Sequence, residues 1–145
     1  MKKLLAFSSI AMIAMSVFSG CSKSSSGSSY FMKETIAGKS YSSTYCAAGS
    51  SSGYVTIAGS SGTSLTYPYV TLTLANYNKT TGTFTLDTTL TGSFAEYNKD
   101  ASTVVLAKSG SVTITSASPN IVGTFSFTCT DGTVVSGGSF TAKSY

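Results

Sequence analysis

The sequence predicts an all-β domain, an antiparallel meander of about ten short strands closing as a β-barrel or a β-sandwich, with no helix in the mature chain. Three observations carry this expectation. No helical period occurs anywhere after residue 29; short runs alternate between apolar residues and Ser or Thr; and Gly, Asn, Asp and Pro cluster between those runs. A Thr/Ser face opposite an apolar face is the signature of a half-buried antiparallel sheet.

The elements follow in order. Phe31 to Ala37 opens the domain, a Gly38-Lys39 turn follows, and Tyr41 to Ala47 and Tyr54 to Ala58 are the next candidates. After a turn at Ser61-Gly62, Val70, Leu72 and Leu74 point one way while Tyr69, Thr71 and Thr73 point the other. Asn78 to Gly82 reads as a turn before Thr83 to Leu86, and Ser93 to Tyr97 leads to a turn at Asn98-Lys99-Asp100. Thr103 to Ala107 comes next. A turn at Ser109-Gly110 then separates it from Val112 and Ile114, which alternate with Ser111, Thr113 and Thr115. Beyond Ser118-Pro119-Asn120, Phe125, Phe127 and Cys129 alternate with Thr124, Ser126 and Thr128. Asp131-Gly132 suits a two-residue type I′ turn into a last strand that includes Ser139 to Lys143. That turn would pair Cys129 with Val134, Phe127 with Ser136 and Phe125 with Gly138, whose bare backbone an aromatic ring can cover.

The N-terminal residues are of another kind. Lys2 and Lys3 precede an apolar segment from Leu4 to Val17, which is too short for a permanent membrane helix, and Phe18-Ser19-Gly20-Cys21 follows. This reads as a lipoprotein signal over residues 1–20, with Cys21 receiving a diacylglycerol thioether and becoming the new N-terminus. Phe18 stands where Leu is usual. The Ser-rich tract to residue 29 then serves as a tether with a root-mean-square span of roughly 16 Å. Residues 30–145 form the single β domain. The expected place is the cell envelope, lipid-anchored at the outer membrane and facing the periplasm or the cell surface, with the membrane as a partner through the anchor.

With Cys21 lipidated, Cys46 and Cys129 remain as an even pair in an oxidising compartment, where they could form a disulfide. The alternative is two buried, inert thiols.

Composition excludes most chemistries. The chain has no His, which removes imidazole-based triads, H-E-x-x-H zinc sites and most general-base catalysis. No Ser lies three residues before a Lys, so the S-x-x-K nucleophile is also missing. The carboxylates are Glu34, Asp87, Glu96, Asp100 and Asp131, and the three Asp sit in or beside expected turns. No D-x-D-x-D run suggests a metal, and no cofactor cradle is visible. The nine Lys are scattered and Arg is absent, which argues against a nucleic-acid partner. The tyrosines are the versatile set: Tyr41, Tyr45, Tyr54, Tyr67, Tyr69, Tyr77 and Tyr97 could form an amphipathic patch for a glycan or protein partner, or pair across strands and fill barrel ends.

In order along the chain, the lipobox, the Ser-rich tether, Ala37-Gly38-Lys39-Ser40-Tyr41, Val55 to Gly59, and Gly123-Thr124-Phe125-Ser126-Phe127 with Gly137-Gly138-Ser139-Phe140 form a recognisable series. The chain resembles a family of small, uncharacterised lipoproteins common in Bacteroidota, over about Tyr30 to Tyr145. An aromatic residue, often Trp, is common in that family after the opening Gly-Lys, and Tyr41 fills that place here. The resemblance implies an all-β exported domain with no established activity, and carries over only Cys21 as the lipid attachment point. The expected role is therefore a non-enzymatic binding or structural one. The alternatives are a small-ligand carrier with a lipocalin-like pocket and a glycan-binding surface module. A wide unfilled interior would favour the carrier, and a filled core with exposed tyrosines would favour surface recognition.

Overall fold

The computed structural model describes residues 30–60 and 65–144. Among these residues there is no helix; ten strands form, and a closed seven-strand barrel lies at their centre. Cys21, the signal segment, the tether and the Ser61-Gly62 turn lie outside the described residues.

The strands are β1 (Phe31–Ile36), β2 (Lys39–Ser43), β3 (Tyr45–Ser51), β4 (Tyr54–Ser60), β5 (Tyr69–Ala75), β6 (Gly82–Leu86), β7 (Phe94–Asp100), β8 (Thr103–Ser116), β9 (Asn120–Cys129) and β10 (Val134–Lys143). The ring runs β3–β4–β5–β7–β8–β9–β10, and it closes where Lys143 of β10 meets Ala47 of β3 in a parallel bridge. The other described pairings are antiparallel. Two long strands organise the sheet. One edge of β8 takes β7 over Thr103–Leu106 and then β6 over Gly110–Ile114, while its other edge takes β9. Likewise β10 takes β9 on one side, and on the other the hairpin β1–β2 before it reaches β3. The hairpin turns at Ala37 and Gly38, whose φ angles of 49° and 80° give the doubly left-handed turn that matches strand twist.

Several expectations are corrected. The segment expected as one strand from Tyr41 to Ala47 is divided between β2 and β3 at Thr44. Asn98, Lys99 and Asp100 belong to β7, and the chain reverses just after them. Ser109-Gly110 is no turn either, since β8 runs through it as one strand with a bulge between Ala107 and Ser109. Gly110 marks a close approach instead. A Cβ there would stand 2.3 Å from the Ser126 carbonyl oxygen and 2.5 Å from Phe127 Cβ.

The β9–β10 hairpin shows two departures that cancel. Its loop has three residues, closed by Cys129 N donating to Thr133 O at 2.8 Å, so Phe127 faces Val135 rather than Ser136, and Val134 faces Thr128 rather than Cys129. An extra residue in β10 near Gly137, at φ 60°, then shifts the register back, and Phe125 pairs with Gly138 as expected. The Phe125 ring covers that glycine, where a Cβ would lie 2.6 Å from ring carbons.

Side chains fill the interior. Val55, Ile57, Val70, Leu72, Leu74, Val112, Ile114 and Phe140 are fully buried, and Phe125 packs against Phe127 and Phe140 with ring centroids 6.3 and 6.2 Å apart. The Cys46–Cys129 bond is not formed: both residues are buried free thiols. Cys46 lies opposite Gly59 with Glu34 nearby, whereas Cys129 lies opposite Ala107 with Tyr97 and Asp131 nearby, so the two thiols have different surroundings.

Candidate functional site

Alternation along β1 places Glu34 between Met32 and Ile36 on the face that turns toward the core, where a carboxyl is out of character. Glu34 is only 8 % exposed, and its Oε2 has no hydrogen-bond partner. Burial pushes its pKa up to about 7. The β1–β2 hairpin can lie this close to the barrel because Gly59 has no side chain. A Cβ there would come within 2.6 Å of both Met32 Cβ and Ser43 Oγ. Ser43 in turn ties the hairpin together, accepting from Met32 N at 2.8 Å and donating to Met32 O at 3.0 Å.

Glu34 opens into a cavity of about 130 Å³. Tyr41, Ser42 and Ser43 of β2 line one side, Gly59 and Ser60 of β4 the floor, and Thr66, Tyr67, Pro68 and Tyr69 the other wall. No lysine is among these residues. Tyr67 is 43 % exposed at the mouth, while Tyr69 is buried, and their ring centroids are 5.2 Å apart. The Tyr69 hydroxyl is pushed up to about 12 by burial, with Tyr67 and Glu96 adding to the effect.

Glu96 is the second buried carboxyl. It lies on the outward face of β7, across from Thr71, and burial raises its pKa to about 7 as well. Burial raises each carboxyl, and neither contributes to the other's shift. The Asp residues serve turns: Asp87 accepts from Thr89 N, Asp100 from Ser102 N and Asp131 from Thr133 N, at 2.7, 2.9 and 2.8 Å. Among the described residues, no group of three or more Cys, Asp or Glu could hold a metal ion.

The structure brings together three of the seven tyrosines expected as a patch, Tyr41, Tyr67 and Tyr69. Tyr77 and Tyr97 belong to the core, with the Tyr77 ring 6.1 Å from Phe84, and Tyr54 donates to Thr91 O at 3.0 Å. Tyr45 is half-buried on β3. Sequence reasoning missed Glu34 as a site residue. The available signal was a carboxylate at an apolar position of a strand, flanked at i−2 and i+2 by Met32 and Ile36.

Two other hollows are less specific. One, of about 210 Å³, lies toward the opposite end of β4 between Tyr54, Thr56, Thr73, Leu90 and Phe94; the other is a shallow groove over Ser111, Thr113, Thr124 and Ser139. Neither contains a carboxylate or a cation.

The family described as Domain of unknown function (DUF6252) matches residues 29–142. The chain belongs to the DUF6252 family. Its match spans the described β domain almost end to end, so both the filled barrel and the Glu34 cavity lie within the DUF6252 domain. No curated protein and no solved structure matches the chain.

Proposed function

We propose that this DUF6252 protein is an exported lipoprotein, anchored at the outer membrane through Cys21, whose β domain is a non-enzymatic binding module that receives its ligand in the tyrosine-walled pocket beside Glu34. The observation that carries the binding reading is Glu34, a buried carboxyl whose Oε2 is unpartnered, in the lining of a cavity that an exposed tyrosine also lines. Leaving a buried acceptor unsatisfied costs about 1–3 kcal/mol, and ligand sites are where folds carry such a cost. The filled barrel supports recognition at this lateral pocket over a carrier that encloses its cargo centrally. The signal-like residues 1–20 and the Ser-rich tract support the anchor.

Two experiments test this. Cys21→Ala should move the full chain from the detergent-soluble membrane fraction to the soluble fraction or leave it unprocessed; unchanged membrane retention counts against the anchor. A panel of sugars, amino acids, amines and nucleosides should include compounds that raise the Tm of the wild-type chain but not of Tyr67→Ala, an exposed position where the substitution leaves folding intact. If no compound separates the two proteins, the pocket reading fails.

A further inference from the structure

We propose that the Glu34 pocket is a binding site for a primary ammonium group of a small organic molecule, held by the Glu34 carboxylate and the rings and hydroxyls of Tyr41, Tyr67 and Tyr69. This rests on the binding-module reading above and names the ligand chemistry of that site.

The donor set selects the ligand. A carboxylate and hydroxyls present acceptor oxygens to the cavity, and no lysine there could receive an anion. A primary ammonium brings three N–H donors and one positive charge, which would pair with the Glu34 carboxylate where it lines the cavity and leave donors for the surrounding hydroxyls. Aromatic faces add cation–π attraction, which strengthens as the cation is desolvated. The chain already uses this contact beside the site, with Lys39 Nζ 5.5 Å from the Tyr41 ring centroid and Lys33 Nζ 5.1 Å from that of Phe31. Size gives the limit. A dry cavity of about 150 Å³ accepts benzene, so about 130 Å³ suits an amine of a few carbons.

Protonation gives the site its signature. The titratable groups facing Glu34 are Tyr41 of β2, Cys46 of β3, and Tyr67 and Tyr69 on the far wall; β4 contributes Gly59 and Ser60, which do not titrate. Outside the lining, Lys39 stands over the Tyr41 ring and Glu96 acts on Tyr69. Glu34 is the carboxyl that lines the cavity itself, and with its pKa pushed up to about 7 it is about half ionised at that pH. An arriving ammonium draws it fully to the carboxylate. Affinity should therefore rise with pH through 7 and level off above it, with a difference of about a hundredfold between pH 5 and pH 8.

The test is calorimetric titration of the full chain in detergent with propylammonium, and with propanol as the neutral isostere. Propylammonium should bind at pH 8, with affinity reduced about 30-fold or more by Glu34→Gln and about 3- to 10-fold by Tyr67→Leu, while propanol should not bind measurably. Equal affinity in Glu34→Gln, or no pH dependence, overturns the proposal. Propanol binding as well as the amine, with Tyr67→Leu weakening both, overturns the ammonium assignment and leaves the pocket reading standing. Absence of binding by either compound overturns the proposal, and the broader panel then decides the pocket reading separately.

Discussion

The β9–β10 side of the barrel and the β4–β5–β7 side are built on opposite plans. In β9, buried and accessible residues alternate without exception: Ile121, Gly123, Phe125, Phe127 and Cys129 face inward, and the Ser and Thr residues between them face water. In β5, six consecutive residues from Tyr69 to Leu74 are buried, and in β7 all of Phe94 to Asn98. Both faces of that side are covered. The segment before β7 folds over the outer face, with Ser93 Oγ accepting from Ala75 N at 3.0 Å and Tyr54 reaching Thr91 O. The comparison teaches where polar groups become trapped. A sheet covered on one side can send every polar residue to water, whereas one covered on both must bury Thr71, Thr73, Glu96 and Asn98 and satisfy them locally, as Asn98 Nδ2 does with Thr71 Oγ1 at 3.3 Å.

The two plans should respond differently to mutation, and the largest effect belongs to the singly covered side. Phe125 is the centre of a three-ring cluster against Gly138, so Phe125→Ala should cost about 3–5 kcal/mol in urea unfolding. Gly138→Ala should cost about 1–3 kcal/mol, because its Cβ would meet ring carbons that Phe127 and Phe140 keep in place. The two should be strongly non-additive, since removing the ring removes the clash. Additive costs would mean that the ring does not rest on the glycine.

The same contrast explains what was legible in the sequence. The alternation of Phe125, Phe127 and Cys129 revealed β9 and its inward face, while the Phe125–Gly138 pairing expected from a two-residue turn is met only because the longer loop and the bulge cancel. The intervening register did not, because the loop length and the Gly137 bulge are choices of one residue that leave the same pattern of apolar letters. Gly110 was misread for a related reason: glycine signals both a turn and a close approach, and only the position of Ser126 and Phe127 distinguishes the two. The pocket was the least legible feature. Its tyrosines stood out by type, but β1–β2, β4 and the residues around Tyr67 meet only through tertiary packing, and the alternation of Met32, Glu34 and Ile36 marks Glu34 as inward-facing without showing the cavity it lines.

A pH series addresses the two buried carboxyls, with the next largest effect. Below pH 4.5 the folded and unfolded chains both hold these protons; between 4.5 and about 7 the unfolded chain releases them while the folded chain keeps them, so stability falls as pH rises and the loss is complete above 7. Each group accounts for about 3 kcal/mol of that loss. Asp100 and Asp131 act in the opposite sense, since hydrogen bonds from Ser102 and Thr133 hold them below the usual carboxylate range, and their contribution disappears on acidification below it. Stability should thus peak near pH 4 to 5. Glu96→Gln and Glu34→Gln should each flatten the fall toward pH 8; a wild-type curve already flat across this range would show that neither carboxyl is held neutral.

The smallest expected effect concerns the thiols. Cys46 lies on β3 near Glu34, and Cys129 ends β9; they are 0 % and 1 % exposed. Burial raises both pKa values, that of Cys129 to about 11, so neither supplies the thiolate that oxidation requires. A bond between them would close most of the domain and stabilise it by roughly 4–5 kcal/mol on the loop-entropy model, which reduction would remove. The structure instead leaves two small buried apolar side chains. Reductant should therefore move the Tm of the Cys21→Ala chain by no more than about 1 °C. Thiol titration of that chain should find no reactive group in the native state and both Cys46 and Cys129 after denaturation without reductant. Loss of the two thiols under those conditions, together with a large fall in Tm on reduction, would show that the oxidised protein brings β3 and the end of β9 within bonding distance.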